Sequence, residues 1–429
     1  MQESARIKNA WCMYDWANSA YLLVISSTIF PIYYNGITRR VFGGDEVTFF
    51  GFQIENTVLY SYAISFSFLV SAALSPLLSG VADYGGKRKF FLKVFTYLGS
   101  FSTLSLFWFK GDNIEFGIIM SVFAAIGYSG SLVFYNAFLP EITSEENYNM
   151  LSAKGYALGY IGSVLLLLAS FILIEMYQTF GFEEKTSAVR LSFLFVGVWW
   201  LGFAQFAFRR LPENNTTHSN EVGLLRKGAK EVVKVFDSLK HSKVLKRYLM
   251  AFFFYSMGVQ TIMHLATIFG EKELGLSAAK LIVTIIVLQL VAIGGAYLFS
   301  KLSKRYNDGV SILLMLIIWI GICVFSYVVK TEYEFYALAV LVGIVMGGIQ
   351  SMSRSTYSKL IPENSIDNTS YFSFYDVLEK SSIVLGTFSF GFIEYISGSM
   401  RNSTLVLTVF FIVGVFLLVR SGIHRKAMA

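Results

Sequence analysis

A chain of 429 residues that is 55% apolar and only 15% charged departs from soluble domains, which run nearer half apolar and a quarter charged. A soluble core cannot absorb that excess without exposing large apolar patches to water, whereas a bilayer accepts apolar side chains on the outside of helices. Two cysteines, Cys12 and Cys323, both in or beside apolar segments, point to neither a disulfide framework nor a zinc site, so no metal is expected.

Arg6 and Lys8 precede an apolar stretch too long for the core of a cleaved signal, which predicts a retained first span. A spanning helix needs about 20 mostly apolar residues. Windows of that kind fall at 11–36, 56–82, 90–110, 114–138, 150–175 and 188–209, and again at 248–270, 279–300, 309–329, 334–358, 370–396 and 403–421. The polar stretch between the sets predicts three parts: a six-helix bundle over 1–210, a cytoplasmic linker over 211–247, and a second six-helix bundle over 248–429. Within the linker, Pro212 to Asn220 reads as loop. Leu225, Ala229, Val232, Phe236 and Leu239 then recur at spacings of three and four, with Lys and Arg on the other face. That pattern predicts an amphipathic helix on the cytoplasmic membrane surface, serving either as a tether or as a regulatory contact.

Charge tests this topology. With both termini in the cytoplasm, 25 Lys/Arg fall inside and 9 outside, leaving Lys380 within a span, while acidic residues divide 12 to 13. Asymmetry in basic but not acidic residues is the positive-inside pattern. The net charge of +7 is therefore a topology signal, and nucleic acid is not expected as a partner.

Taken along the chain, polar residues in the spans are the candidate site. Asp15, Asn18 and Ser19 stand at i, i+3 and i+4 and share a helix face, which must turn away from lipid. The loop Ser79-Gly-Val-Ala-Asp83-Tyr-Gly-Gly86-Lys87-Arg88-Lys89 places a carboxylate where the positive end of another helix can meet it. Gly85 and Gly86 permit a tight turn, and the cations hold the loop inside; taken by itself the loop reads as a basic topology signal. Its counterpart, Ser300-Lys-Leu-Ser-Lys304-Arg305-Tyr-Asn307, has Lys304 at the carboxylate position, so the two loops are expected to differ. Gln260 and Gln350 lie in the seventh and tenth spans. His264, the only histidine in a span, serves either proton coupling or a helix–helix hydrogen bond. In the eleventh span Lys380 lies about 15 Å deep if the helix begins near 370. It requires a carboxylate or water, and Asp376, four residues back, is placed to pair with it. Asp376, Glu379 and Lys380 form either a cavity site for substrate or proton coupling, or a static tie between helices. Neither a phosphate-binding loop nor H-E-x-x-H nor a nucleophile elbow occurs, so an enzyme or ATP-driven pump is not expected. No cofactor is expected beyond a coupling proton or other ion.

The loop around Asp83 resembles the signature loop of the major facilitator superfamily, matching at Asp83, Gly86, Lys87 and Arg88 and departing at Ser79 and Tyr84. The run Tyr14-Asp15-Trp16-Ala17-Asn18-Ser19-Ala20-Tyr21 looks like the opening of the vacuole-effluxer (autophagy-related permease-like) branch. Phe134-Tyr135-Asn136, Pro140-Glu141-Ile142, Gly258-Val-Gln260-Thr261, Gln350-Ser-Met-Ser353-Arg354-Ser355 and Tyr371-Phe-Ser-Phe374-Tyr375-Asp376 extend the likeness along the chain. Met257 stands where members of the branch often carry an acidic residue. The resemblance implies an all-α membrane protein of twelve transmembrane helices in two six-helix bundles. It implies a monomeric permease or effluxer of the cell (inner) membrane that moves a small organic, amino-acid-like solute by alternating access. First, fourth, seventh and tenth spans line the cavity in this superfamily. Asp15, Asn18, Ser19, Tyr135, Asn136, Gln260, His264, Gln350, Asp376, Glu379 and Lys380 are then the cavity candidates. Asp83, Gly86, Lys87, Arg88 and Arg354 are the cytoplasmic-gate candidates. Two other classes fit the composition: a transport-fold sensor signalling through its linker, and a membrane-embedded transferase.

Overall fold

A computed structural model describes residues 2–213, 223–362, 365 and 367–425. The loop expected up to Asn220 lies outside the described residues from 214 onward, as does the side chain of Leu225. The first span is built from α1 (Gln2–Ala20), a π-helical stretch (Tyr21–Ile29) and α2 (Phe30–Phe42) in succession. Thr28 Oγ1 donates to the Leu23 carbonyl five residues back at 2.7 Å, the reach of a widened turn. Gly43, at φ 75°, closes α2 in the left-handed conformation that glycine adopts without strain.

Residues between the first two spans are not plain loop. Strands β1 (Glu46–Phe49) and β2 (Phe52–Glu55) pair antiparallel across a two-residue turn. Positive φ at both Phe50 and Gly51 gives that turn the hand that matches strand twist. Alternation over four residues is too short a signal to stand out beside spans of this hydrophobicity.

Then come α3 (Asn56–Gly85), α4 (Arg88–Ser105), α5 (Ile114–Asn136), one-turn α6 (Leu139–Ile142), α7 (Tyr148–Glu175) and α8 (Lys185–Arg210). The linker helix is α9 (Leu224–His241). It is followed by α10 (Lys243–Leu274), α11 (Ala278–Arg305), α12 (Asp308–Val328), α13 (Glu332–Leu360), α14 (Asn368–Ser397) and α15 (Met400–Ser421). Among the described residues, eleven helices are long and apolar enough to cross a membrane. The remaining expected window, 370–396, falls on α14, a helix of 30 residues that is absent from those eleven. Asp376, Glu379 and Lys380 crowd its first half and lower its apolarity.

The chain divides into two compact units. One comprises residues up to Asn136 together with Ile161–Ala229; the other comprises Ala137–Tyr160 with Lys230 onward. In the first, α8 packs on α1 and α4, and α5 packs on α3 and α4. In the second, α15 packs on α10 and α12, and α13 packs on α11 and α12. The same scheme of partners therefore recurs in each. Glycines let backbones meet in the second unit: a Cβ at Gly295 would lie 2.0 Å from the Ile344 carbonyl oxygen, and one at Gly347 would lie 2.0 Å from that of Ala292.

Two departures from the expected three-part division follow. Residues 137–160 go with the second unit, because the first turns of α7 are tied to α11, α12 and α13 by buried polar contacts. The linker helix is also not a free surface helix. Gly228 packs on the α3 backbone at Gly80 and Val81 within the first unit. Within the second, Val235 and Leu239 are buried, Phe236 stacks on Phe374 at 5.8 Å, and Tyr371 donates to Ser238 at 2.9 Å. Lys234 pairs with Asp367 at 2.9 Å, and that bond, with a second to Glu231, raises its ammonium above the ordinary lysine range. Periodicity predicts an apolar face; it does not say whether protein or lipid covers it.

Candidate functional site

In the first unit, α1 and α5 bring an acid and a phenol together. Tyr135 donates to Asp15 Oδ2 at 2.8 Å, and both are buried. Trp11 fixes the Tyr135 ring from two directions, stacking on it at 4.6 Å and donating its indole N–H to the Tyr135 carbonyl at 3.0 Å. Tyr14 leans on the same ring at 4.8 Å and shares a 2.6 Å hydrogen bond with Thr96. The aromatic residues of the opening motif thus hold its carboxylate in place. Asn18 is 1% exposed, and its Nδ2 has no hydrogen-bond partner among the described residues. Ser19 donates to Asn18 Oδ1 only at a long 3.5 Å. Asn136 closes α5 and is half-buried.

The expected gate loop is a tight turn between α3 and α4. Gly86 takes φ 62°, and Lys87 N donates to the Ala82 carbonyl at 2.8 Å. Asp83 and Arg88 are both fully buried and pair at 3.1 Å, while Lys87 stays half-exposed. Lys89 donates to the Leu211 carbonyl and to Glu213, both at 2.8 Å, tying the turn to the end of α8.

In the second unit the charges of α14 cluster. Lys380, 6% exposed, lies 3.4 Å from Asp376 and 3.8 Å from Glu379, and Gln260 donates to Glu379 at 2.9 Å. Lys380 thus has two carboxylates, one of them bound across to α10. His264 Nδ1 meets the Gln260 carbonyl at 2.8 Å, so Nδ1 carries a hydrogen and donates it there. Gln350 accepts from Tyr160 and reaches Met263 Sδ at 3.4 Å, joining α13 to α7 and α10. Arg354 is buried, donates to Ser152 Oγ at 2.9 Å and to its carbonyl at 3.0 Å, and lies 4.2 Å over the Tyr156 ring.

One cluster escapes sequence reasoning. Lys304 is exposed, and the buried carboxylate next to this loop is Asp308, four residues on. Asn149 donates to Asp308 and to Ser303 at 2.7 Å each, Ser303 also donates to Asp308, and Lys359 pairs with Asp308 at 2.8 Å. The second half therefore keeps a buried carboxylate with a basic partner that simple alignment of the two loops hides. The available signal was Asn307-Asp308, whose asparagine caps α12 by accepting from Val310 N at 2.8 Å.

Two helical units with one scheme of partners are the arrangement of a major facilitator fold. The structure of FucP in its outward conformation superposes with a TM-score of 0.71 at 13% identity, over 97% of this chain and 98% of that one. The human organic anion transporter MFSD10 gives 0.72 at 12%, over 97% and 99%. Identities this low speak for the fold alone. The family described as "Vacuole effluxer Atg22 like" matches residues 3–428, so this chain belongs to that family. Among its relatives, an uncharacterized MFS-type transporter of Bacillus subtilis is 29% identical over 419 residues, covering 97% of this chain and 95% of that protein. Autophagy-related protein 22 of Kluyveromyces lactis is 25% identical over 395 residues, covering 84% and 78%. The chain is a multi-pass membrane protein and an MFS-type transporter.

Proposed function

We propose that this chain exports or exchanges an amino-acid-like solute across the cell membrane, working as a monomer by alternating access with both termini in the cytoplasm. The observation that carries the reading is the cluster of Lys380 with Asp376, Glu379 and Gln260. A buried charge at membrane depth costs about 3 kcal/mol or more, so an apolar chain keeps such groups where they handle a charged species. Lys380 offers an ammonium to a carboxylate, and the two acids offer the complement to an amine. Asp15 and Asn18 supply a second polar group of the same character in the first unit. Glu379 and His264 are the groups through which a proton would couple to movement. Asp83, Gly86, Lys87 and Arg88 in the first unit, and Arg354 in the second, are the residues we assign to gating.

Counterflow of radiolabelled amino acids in proteoliposomes tests this. Wild type is expected to exchange at least one of the twenty, Lys380→Ala to lose more than about 90% of the rate, and Asp83→Asn to lose most of it. Full rates in both variants would remove these roles, and no flux of any amino acid by folded wild type would remove the substrate class.

A further inference from the structure

We infer that the second unit holds a separate hydrocarbon-binding site inside its own helix bundle, taking a compact apolar ring or the end of an acyl chain. A half-enclosed cavity of about 90 Å³ lies among α10 to α15, lined by residues that include Leu265, Leu281, Leu288, Ile322, Val342 and Phe390. Among the described residues, no Asp, Glu, Lys, Arg or His lines it.

Five hydroxyl side chains belong to this wall; Thr261 Oγ1 is itself buried with no partner among the described residues, and three of the others turn their donors away. Thr284 donates to the Lys280 carbonyl at 2.8 Å, Ser326 to that of Cys323 at 2.7 Å, and Thr404 to that of Arg401 at 2.8 Å. Each spends its donor on its own helix, as Ser and Thr do in helix interiors. The surface left to a ligand is therefore close to hydrocarbon. Apolar cavities of this order stay dry and take up benzene or xenon, because water finds too few partners there. The lining atoms meanwhile lack dispersion contacts that a guest would restore. An amino-acid-like solute has no place in such a wall, which separates this cavity chemically from the cluster around Lys380.

The cavity is nonetheless mechanically close to that cluster. Thr261 and Leu265 line it, and the neighbouring residues on α10, Gln260 and His264, belong to the polar group. A guest would hold α10 in place, so occupancy is expected to slow exchange without competing with the solute. That consequence rests on the proposed transport; the binding itself does not.

Crystals of the full chain under xenon pressure, and crystals grown with phosphatidylcholine brominated at the tail ends, test it directly. A xenon or bromine peak among Leu265, Leu281 and Phe390 is expected; bromine identifies a lipid tail as the occupant, and xenon alone a free small molecule. Ala339→Phe fills the cavity and is expected to abolish the peak, with Ser326→Leu as a second filling variant if the first does not fold. Absence of both peaks from wild type, or a peak unchanged in a folded filling variant, would overturn the assignment.

Discussion

At the residue scale, the decisive interaction is the ion pair of Asp83 and Arg88, two charges taken wholly out of water at 3.1 Å. Such a pair is a weak net source of stability, since desolvation offsets most of its attraction. Removing one partner is costly, about 3–5 kcal/mol, because the other charge stays buried alone. Asp83→Asn is therefore expected to lower the melting temperature of the purified protein by several degrees. Arg88→Met in the same chain should recover part of that loss, since it removes the cation that this carboxylate neutralised. The double-variant cycle isolates the coupling. Equal and additive losses in the two single variants would mean that the pair is not the cause, and that the turn at Gly86 holds the loop without it.

At the element scale, the close approach of α11 and α13 sets a second prediction. Any Cβ at position 347 would sit 2.0 Å from the Ala292 carbonyl oxygen, an atom fixed in a helix backbone. The helices would have to part, and overpacking of this kind costs about 1–3 kcal/mol. Gly347→Ala is expected to lower thermal stability, whereas Gly321→Ala, where nothing lies within 4 Å, should leave it unchanged. Urea or thermal denaturation monitored by tryptophan fluorescence reads the difference, and parity between the variants would refute the packing argument. Helices themselves were legible in the sequence, because a span is announced by some 20 apolar residues and bounded by charge. Their partners were not. Residues 137–160 join the second unit through Asn149, Ser152, Tyr156 and Tyr160, spaced three to four apart on one face of α7, and that face is polar rather than apolar. Hydrophobic periodicity cannot report a face that packs by hydrogen bonds. The repeated scheme of partners in the two units was equally hidden, since it lies in which helices touch and leaves almost no residue identity behind. At the candidate site, the Asp376–Lys380 pair was readable from a spacing of four, whereas Gln260 to Glu379 and Tyr135 to Asp15 required the fold, being 119 and 120 residues apart.

At the scale of the whole molecule, the open question of topology is α14, the helix that carries the charge cluster yet falls outside the eleven plainly apolar spans. Its length suffices, since 30 residues at 1.5 Å each exceed a hydrocarbon core of about 30 Å. Its charges are also met within the protein: Lys380 by Asp376, Glu379 by Gln260, with Lys380 and Asp376 buried from the surroundings. Charges paired in this way face the bundle and not lipid, so the cost that would eject the helix from the bilayer is largely removed. The helix should therefore cross, and its two ends should lie on opposite sides of the membrane. In a Cys12→Ser/Cys323→Ser background, Ser399→Cys is expected to react with an impermeant maleimide added to intact cells, and Ser365→Cys only after the membrane is opened. Labelling of both from one side would make α14 a re-entrant helix, leave an odd number of crossings, and place the termini on opposite sides. That outcome would also break the positive-inside assignment, because the basic residues after α15 would then lie with the sparsely basic outer loops. The charge asymmetry and the burial of Lys380 thus stand or fall together in one labelling experiment.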